Sequence, residues 1–276
     1  MEKTKEYLWL LNEKYNEKEC PEFLEDLKRL ESGEPIDYII GFTNFLGAKI
    51  DLSFRPLIPR QDTEFWLEKA INDVAGRGLQ PRSERLELPS SSVYTNTRTG
   101  LQTPSGQQIG ILDLFAGSGC IGIALLKNLP DVFVDFGEKD PLIVKQIEKN
   151  LEINTISPER FCVYETDVFQ NIPAKKYDFI FANPPYVAHD RKDHVAKSVF
   201  EHEPHLAIFA EDEGLFFIKK LLAEAPNFLT KNGKIFIEFD QWQKEKIEEL
   251  VNNSKFTGEF WKDQNEKWRV VMCELK

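Results

Sequence analysis

From Ile111 onward the chain alternates short apolar runs with stretches whose apolar residues recur at helical spacing, and this alternation limits the possible folds more than any other feature. Ile111 to Phe115 reads as an apolar strand, followed by Gly117-Ser118-Gly119 and a helix through Leu129. Val132 to Phe136 reads as a second strand and Leu142 to Leu151 as a second helix, with further strands at Phe161 to Glu165 and Phe179 to Asn183. Leu215 to Phe228 then predicts a helix, Lys234 to Phe239 a strand and Lys244 to Val251 a helix. Phe256 to Trp261 and Trp268 to Leu275 predict a closing antiparallel hairpin. Such regular alternation implies an α/β fold, a mostly parallel sheet with helices on both faces. Ligands of such sheets bind beyond the carboxyl ends of the strands, where strand order reverses.

The earlier part of the chain reads differently. Leu8, Leu11 and Tyr15 share one helical face, and Phe23, Leu24, Leu27 and Leu30 another, with Pro21 suited to a first turn and Gly33 to a stop. Pro35 to Pro59 looks extended, with turns at Gly41 and Gly47, as in a hairpin. Asp62 or Thr63 can cap a following helix that carries Leu67, Ala70, Ile71 and Val74 on one side. Gly76 to Gly110 is rich in Ser, Thr, Gln, Gly, Pro and Arg and keeps no period, so it reads as a linker or insertion. The division expected is therefore a short helical segment over 1–34, a hairpin and connecting helix over 35–75, the linker or insertion over 76–110, and the main domain over 111–276.

Three places carry residues suited to chemistry. In Asp113-Leu114-Phe115-Ala116-Gly117-Ser118-Gly119-Cys120-Ile121-Gly122 a strand enters a glycine turn and leaves as a helix, where free N–H groups suit an anion such as a carboxylate. Gly117, Gly119 and Gly122 also satisfy a dinucleotide fingerprint, so the turn alone does not choose its ligand. Glu138 ends the second strand about 20 residues later, where an acid binds ribose hydroxyls, and Asp140 is a rival for that role. Asp167 follows the third strand, and its carboxylate can accept from an exocyclic adenine amine. The sharpest feature is Asn183-Pro184-Pro185-Tyr186 at the end of a strand. Its prolines stiffen the backbone and withhold two N–H donors, leaving the Asn183 oxygen and nearby carbonyls as acceptors for a planar NH2 group. Tyr186 offers a flat surface for packing.

These motifs together resemble the amino-directed branch of the class I S-adenosylmethionine methyltransferases. They resemble most closely the HemK/PrmC family, which methylates the glutamine amide in the GGQ loop of peptide-chain release factors. Pro35-Ile36-Asp37-Tyr38-Ile39-Ile40-Gly41 with Phe45, the segment from Leu57 through Pro59-Arg60 to Glu64, and Glu203-Pro204 with Glu213-Gly214-Leu215 carry the same likeness, which covers residues 35–75 and 110–276. The resemblance implies a Rossmann-like methyltransferase sheet with an antiparallel last strand, preceded by a small helical domain and a β-hairpin. It also implies roles. Asp113, Gly117 and Gly119, with Ala116 and Ser118 of the same turn, would hold S-adenosylmethionine at its methionine end, Glu138 its ribose and Asp167 its adenine. Asn183 and the Pro184 carbonyl would grip the glutamine amide, Pro185 and Tyr186 would complete that catalytic turn, and Pro59, Arg60 and Thr63 would line the mouth. Two features depart from the family: a shorter helical segment before the hairpin, and the 76–110 insertion.

The net charge of −11 argues against a partner rich in phosphates and for a protein or small-molecule substrate. Competing readings are an N6-adenine methyltransferase of DNA or RNA, a glutamine methyltransferase of a ribosomal protein, and a non-catalytic binding module on the same fold. His189, His194, His202 and His205 lie close in sequence but match no zinc spacing, and no metal is expected. Cys20, Cys120, Cys162 and Cys273 form no CxxC pair and fit reduced thiols. Trp242, Trp261 and Trp268 read as packing residues rather than a base-stacking platform. Without an apolar signal core after Met1, or a run of ~20 apolar residues, a cytoplasmic monomer is expected.

Overall fold

A computed structural model of the chain describes residues 4–75 and 108–276. The segment read as an insertion, 76–110, falls outside the described residues for all but its last three positions. Helix α1 (Lys5–Tyr15) is capped by Thr4, whose side chain accepts from the Tyr7 N–H at 3.1 Å, and α2 (Pro21–Glu31) starts on its proline. The α2 face is the one expected except at Leu24, which is exposed: Phe23 and Leu27 are buried and Leu30 packs against them. On α1, Leu11 and Tyr15 join the core as expected, but Tyr7 and Leu10 are buried where Leu8 was expected and Leu8 is exposed.

A short helix, α3 (Ile36–Ile40), replaces the first part of the expected hairpin. Ile36, Ile39 and Ile40 stand at helical spacing and join the α1–α2 core, and Lys14 Nζ donates to the Ile39 carbonyl at 2.7 Å. Gly41, at φ +93°, closes the helix in a conformation that L side chains rarely adopt. The hairpin itself is compact, β1 (Phe42–Phe45) against β2 (Ala48–Asp51). Helix α4 (Gln61–Ala75) then begins ahead of the two caps proposed for it.

Seven strands form the main sheet. In chain order β3 (Ile109–Leu114), β4 (Val132–Glu138), β5 (Phe161–Glu165), β6 (Tyr177–Ala182) and β9 (Leu229–Glu238) run parallel. The last strand, β11 (Trp268–Leu275), lies antiparallel between β9 and β10 (Phe256–Lys262). The spatial order is β10-β11-β9-β6-β3-β4-β5. This is the sheet expected, closing hairpin included. Strand order reverses at β3, so a crevice opens beyond the ends of β3 and β6. A short parallel pair, β7 (Val187–Ala188) with β8 (Phe209–Ala210), and α7 (Lys197–His202) between them were not foreseen.

The sheet is packed on both faces. The hairpin, α4, α5 (Cys120–Asn128) and α6 (Pro141–Ile153) share one core, and α8 (Phe216–Glu224) and α9 (Lys244–Asn252) the other. Trp66 of α4 stacks on Phe181 and Phe236 of the sheet, with centroids 6.3 and 6.4 Å apart. Such aromatic burial anchors the connecting helix directly over β6 and β9. Among the described residues no helix is long and apolar enough to cross a membrane.

Candidate active site

The glycine turn is built by backbone conformations that few side chains tolerate. Phe115, Gly117 and Gly119 have φ of +57°, +54° and +78°, and Gly119 is the N-cap of α5. A non-glycine residue in this region is strained, and such strain collects at functional sites. Asp113, near the end of β3, is fully buried. Its Oδ2 accepts from the Gly122 N–H at 2.9 Å, and its Oδ1 has no partner. Burial pushes the Asp113 carboxyl well above the usual range; the Gly122 N–H opposes this and the charge of Glu138 adds to it. An unpaired buried oxygen of this kind fits a site that is completed by a cationic or hydrogen-donating ligand, although Asp113 and Gly119 stand behind the residues that line the cavity rather than among them.

Glu138 and Asp140 are separated by what they already hold. Asp140 caps α6, accepting from the Leu142 N–H at 2.8 Å. Glu138 accepts from the N–H groups of Gly117, Lys139 and Asp140 at 2.9, 2.7 and 2.9 Å, and burial still raises its carboxyl above its ordinary value. A carboxylate offers about four acceptor positions, so Glu138 keeps capacity for a hydroxyl donor. Asp167 pairs with Lys139 at 2.7 Å, which holds its carboxyl low. Glu138, Asp140 and Asp167 all line one cavity, together with Ala116, Gly117, Ser118 and Asn183. Cys120 lines it too, but burial pushes its thiol up to about 12, so it is no nucleophile at neutral pH.

Asn183 leaves the end of β6 into this cavity, and its side-chain amide bonds to no other described residue. Pro184 and Pro185 are buried behind it; Pro185 lines the cavity and Pro184 does not. Tyr186 is half-buried and does not line the cavity. Its hydroxyl donates to Glu238 Oε1 at 3.1 Å, while its carbonyl accepts from Gln243 Nε2 at 2.9 Å. Gly214 passes so close that an added Cβ would lie 2.0 Å from the Tyr186 carbonyl oxygen. The Glu213-Gly214-Leu215 region and the proline turn are thus in direct contact, although 28 positions of sequence separate Tyr186 from Gly214.

Another wall is formed by the extended segment before α4 and the first turn of that helix. Pro59, Arg60 and Thr63 line the cavity. Glu203, nearly fully buried, holds this segment by accepting from the Ile58 N–H at 3.0 Å and from Arg60 at 2.5 Å. Arg60 therefore stands at the mouth as half of an ion pair. Glu203, Glu238 and Trp66 had no role assigned from the residues, because each acts across more than 140 positions of sequence. The available signal for Glu203 was the Glu203-Pro204 pair, which carried part of the family likeness without a role of its own. The histidines lie in the short helical turns after Tyr186, His202 at the end of α7, and His189 and His205 pack on Phe209; no metal-ligand cluster occurs among the described residues. Trp242 corrects an expectation: it is 64% exposed, with Arg191 5.3 Å from its ring, whereas Trp261 packs in the core.

Known proteins share this framework. The methyltransferase small domain family matches residues 99–207. A release factor glutamine methyltransferase of Lactococcus lactis is 31% identical over 251 residues, covering 91% of this chain and 80% of that protein. One of Flavobacterium psychrophilum is 31% identical over 232 residues, covering 83% and 71%. A bifunctional methyltransferase of Rickettsia felis is 31% identical over 269 residues, 97% of this chain but 50% of that protein, so the chain spans about half the length of that relative. Among solved structures, the hMettl16 catalytic domain in complex with MAT2A 3'UTR hairpin 6 matches with a TM-score of 0.56 at 17% identity, over 83% of this chain and 76% of that one. A ribosomal protein L11 methylase from Lactobacillus delbrueckii matches with a TM-score of 0.52 at 14% identity, over 82% and 84%. These two share the fold alone.

Proposed function

The chain belongs to the release factor glutamine methyltransferase (HemK/PrmC) family, and we propose that it transfers a methyl group from S-adenosylmethionine to the amide nitrogen of the GGQ glutamine in a peptide-chain release factor. The observation that carries this reading is Asn183: an amide with no hydrogen-bond partner among the described residues, in the same cavity as Glu138 and Asp167. When bound, the cofactor supplies a methyl group on a positively charged sulfur. Asp113 and the Gly117–Gly119 turn would take its methionine end, Glu138 its ribose hydroxyls and Asp167 its adenine amine. The unpaired Asp113 oxygen supports that assignment, since an ammonium group nearby would relieve its burial.

An amide nitrogen is a weak nucleophile because its lone pair is delocalised. The Asn183 side-chain oxygen and the Pro184 carbonyl would each accept a hydrogen bond from one of its N–H groups, raising electron density at nitrogen as the new N–C bond forms and the S–C bond breaks, with one proton released to water afterwards. Holding the amide in place supplies much of the remaining rate. Arg60, fixed by Glu203, would meet the substrate at the mouth. Acidic residues mix with basic ones around Tyr186: Lys246 pairs with Glu213 and Lys219 with Asp212. That mixture supports a protein substrate over a nucleic acid, and a translation factor as substrate would have the enzyme act in the cytoplasm.

The test is methyl transfer from labelled S-adenosylmethionine to a purified release factor. Label is expected on the wild-type factor, and none with Asn183→Ala enzyme or with a factor carrying GGA in place of GGQ. Label on adenine-containing nucleic acid instead would overturn the reading in favour of an adenine methyltransferase.

A further inference from the structure

Glu238 ends β9, is 1% exposed, and does not line the cavity. Nothing in the reaction above uses it. Even so, it gathers three donors from two distant parts of the chain. One carboxylate oxygen accepts from Thr63 Oγ1 at 2.7 Å and from Trp66 Nε1 at 2.8 Å, and the other accepts from the Tyr186 hydroxyl at 3.1 Å. Thr63 stands on the cavity wall beside Arg60, and Tyr186 closes the turn that begins at Asn183.

A carboxylate in this position is costly. Burial raises its pKa, against the pull of Thr63, Trp66, Arg269 and Tyr186. A hydrocarbon side chain of similar volume would fill the space between α4 and the sheet without that desolvation cost. What hydrocarbon cannot do is fix a hydroxyl, an indole and a phenol in single orientations at once. Tyr186 is in consequence held at both ends, its hydroxyl by Glu238 and its carbonyl by Gln243.

We propose that Glu238 is a positioning residue for methyl transfer: it locks Tyr186, and with it the Asn183–Tyr186 turn, in register with the Arg60–Thr63 wall across the cavity. This rests on the amide-methyltransferase reading of the same site. The two walls come from segments more than 100 residues apart, and Glu238 is the group that bonds to both.

The experiment compares full-length wild type with Glu238→Gln, Glu238→Ala, Tyr186→Phe and Thr63→Val, following kinetics on a release factor, S-adenosylhomocysteine affinity, and the Asn183 side-chain NH2 resonances by NMR. Glutamine keeps an acceptor for Thr63 and Trp66 and a donor for the phenol oxygen, so Glu238→Gln is expected to retain kcat within about threefold. Glu238→Ala and Tyr186→Phe should lower kcat by roughly 10–100-fold, the scale of a small misplacement of reacting groups, with S-adenosylhomocysteine affinity unchanged. Thr63→Val should shift the Asn183 resonances in the wild-type background and leave them unmoved when Glu238 is alanine. If Glu238→Ala does not fold, Thr63→Val and Tyr186→Phe decide between the same outcomes. Asn183 resonances indifferent to Thr63→Val, or cofactor affinity falling in step with kcat, would overturn the proposal. Wild-type enzyme that methylates no glutamine, but passes the Thr63 shift to Asn183 through Glu238, would sink the functional reading and leave the positioning link standing.

Discussion

Asn183 and Asp113 show two ways in which a single polar group prepares a site. Asn183 has no hydrogen-bond partner among the described residues at the end of its strand, and the prolines after it offer no N–H to its side-chain oxygen. Replacing it with alanine should lower kcat/KM by about 100-fold or more, the scale of losing one aligned hydrogen-bonding group, in a steady-state assay. Asp113 is a buried carboxyl with one oxygen unpaired. Its folded-state pKa lies above the unfolded value, so the folded state binds the proton more tightly. Its contribution to stability is therefore greatest below the unfolded pKa and is lost as pH rises through the folded one. Unfolding by urea over a pH series should show wild type losing stability relative to Asp113→Asn as pH rises from the acid range. A constant difference between the two proteins would contradict this account. Both residues were legible in the sequence because their motifs are local. Glu238 and Glu203 were not, because what makes each of them matter is a partner more than 140 positions away.

The elements that shape the cavity meet through close approaches rather than through long interfaces. Gly214 sits at φ +80° against the Tyr186 carbonyl. Gly214→Ala adds a Cβ where backbone already stands, so it should destabilise the fold by about 1–3 kcal/mol and displace the proline turn. Denaturant unfolding with kinetics would register both effects, and wild-type values for each would refute the contact. The helix-period signal at Ile36, Ile39 and Ile40 was present in the sequence but short, and the flanking Pro35 and Gly41 favoured an extended reading. Contacts with α1 and α2 decide the matter, since a single helical turn does not persist without tertiary packing. Trp242 failed for the opposite reason. Its type suggests burial, but it sits in the middle of a capped 3-10 turn, Gln241–Gln243, that follows β9, and its ring points outward while Gln243 is buried.

At the scale of the molecule, the chain separates an N-terminal helical core from a sheet covered on both faces. The order of the strands brings the glycine turn, Glu138, Asp167 and Asn183 to one edge of the crevice. Strand number and the closing hairpin were readable from periodicity, whereas the hairpin and α4 joining the sheet's core depended on packing that no local pattern encodes. A ligand that binds only the folded state at 100 times its Kd stabilises it by about 2.7 kcal/mol. S-adenosylhomocysteine should accordingly raise the Tm by several degrees, and Glu138→Ala should remove that increment. Fragmentation mass spectrometry of a release factor, after incubation with enzyme and S-adenosylmethionine, locates the modification atom by atom. One added methyl group is expected on the side-chain amide of the GGQ glutamine, absent with Asn183→Ala enzyme. A methyl group on any other residue, or the same modification made by the Asn183→Ala enzyme, would contradict the proposed activity.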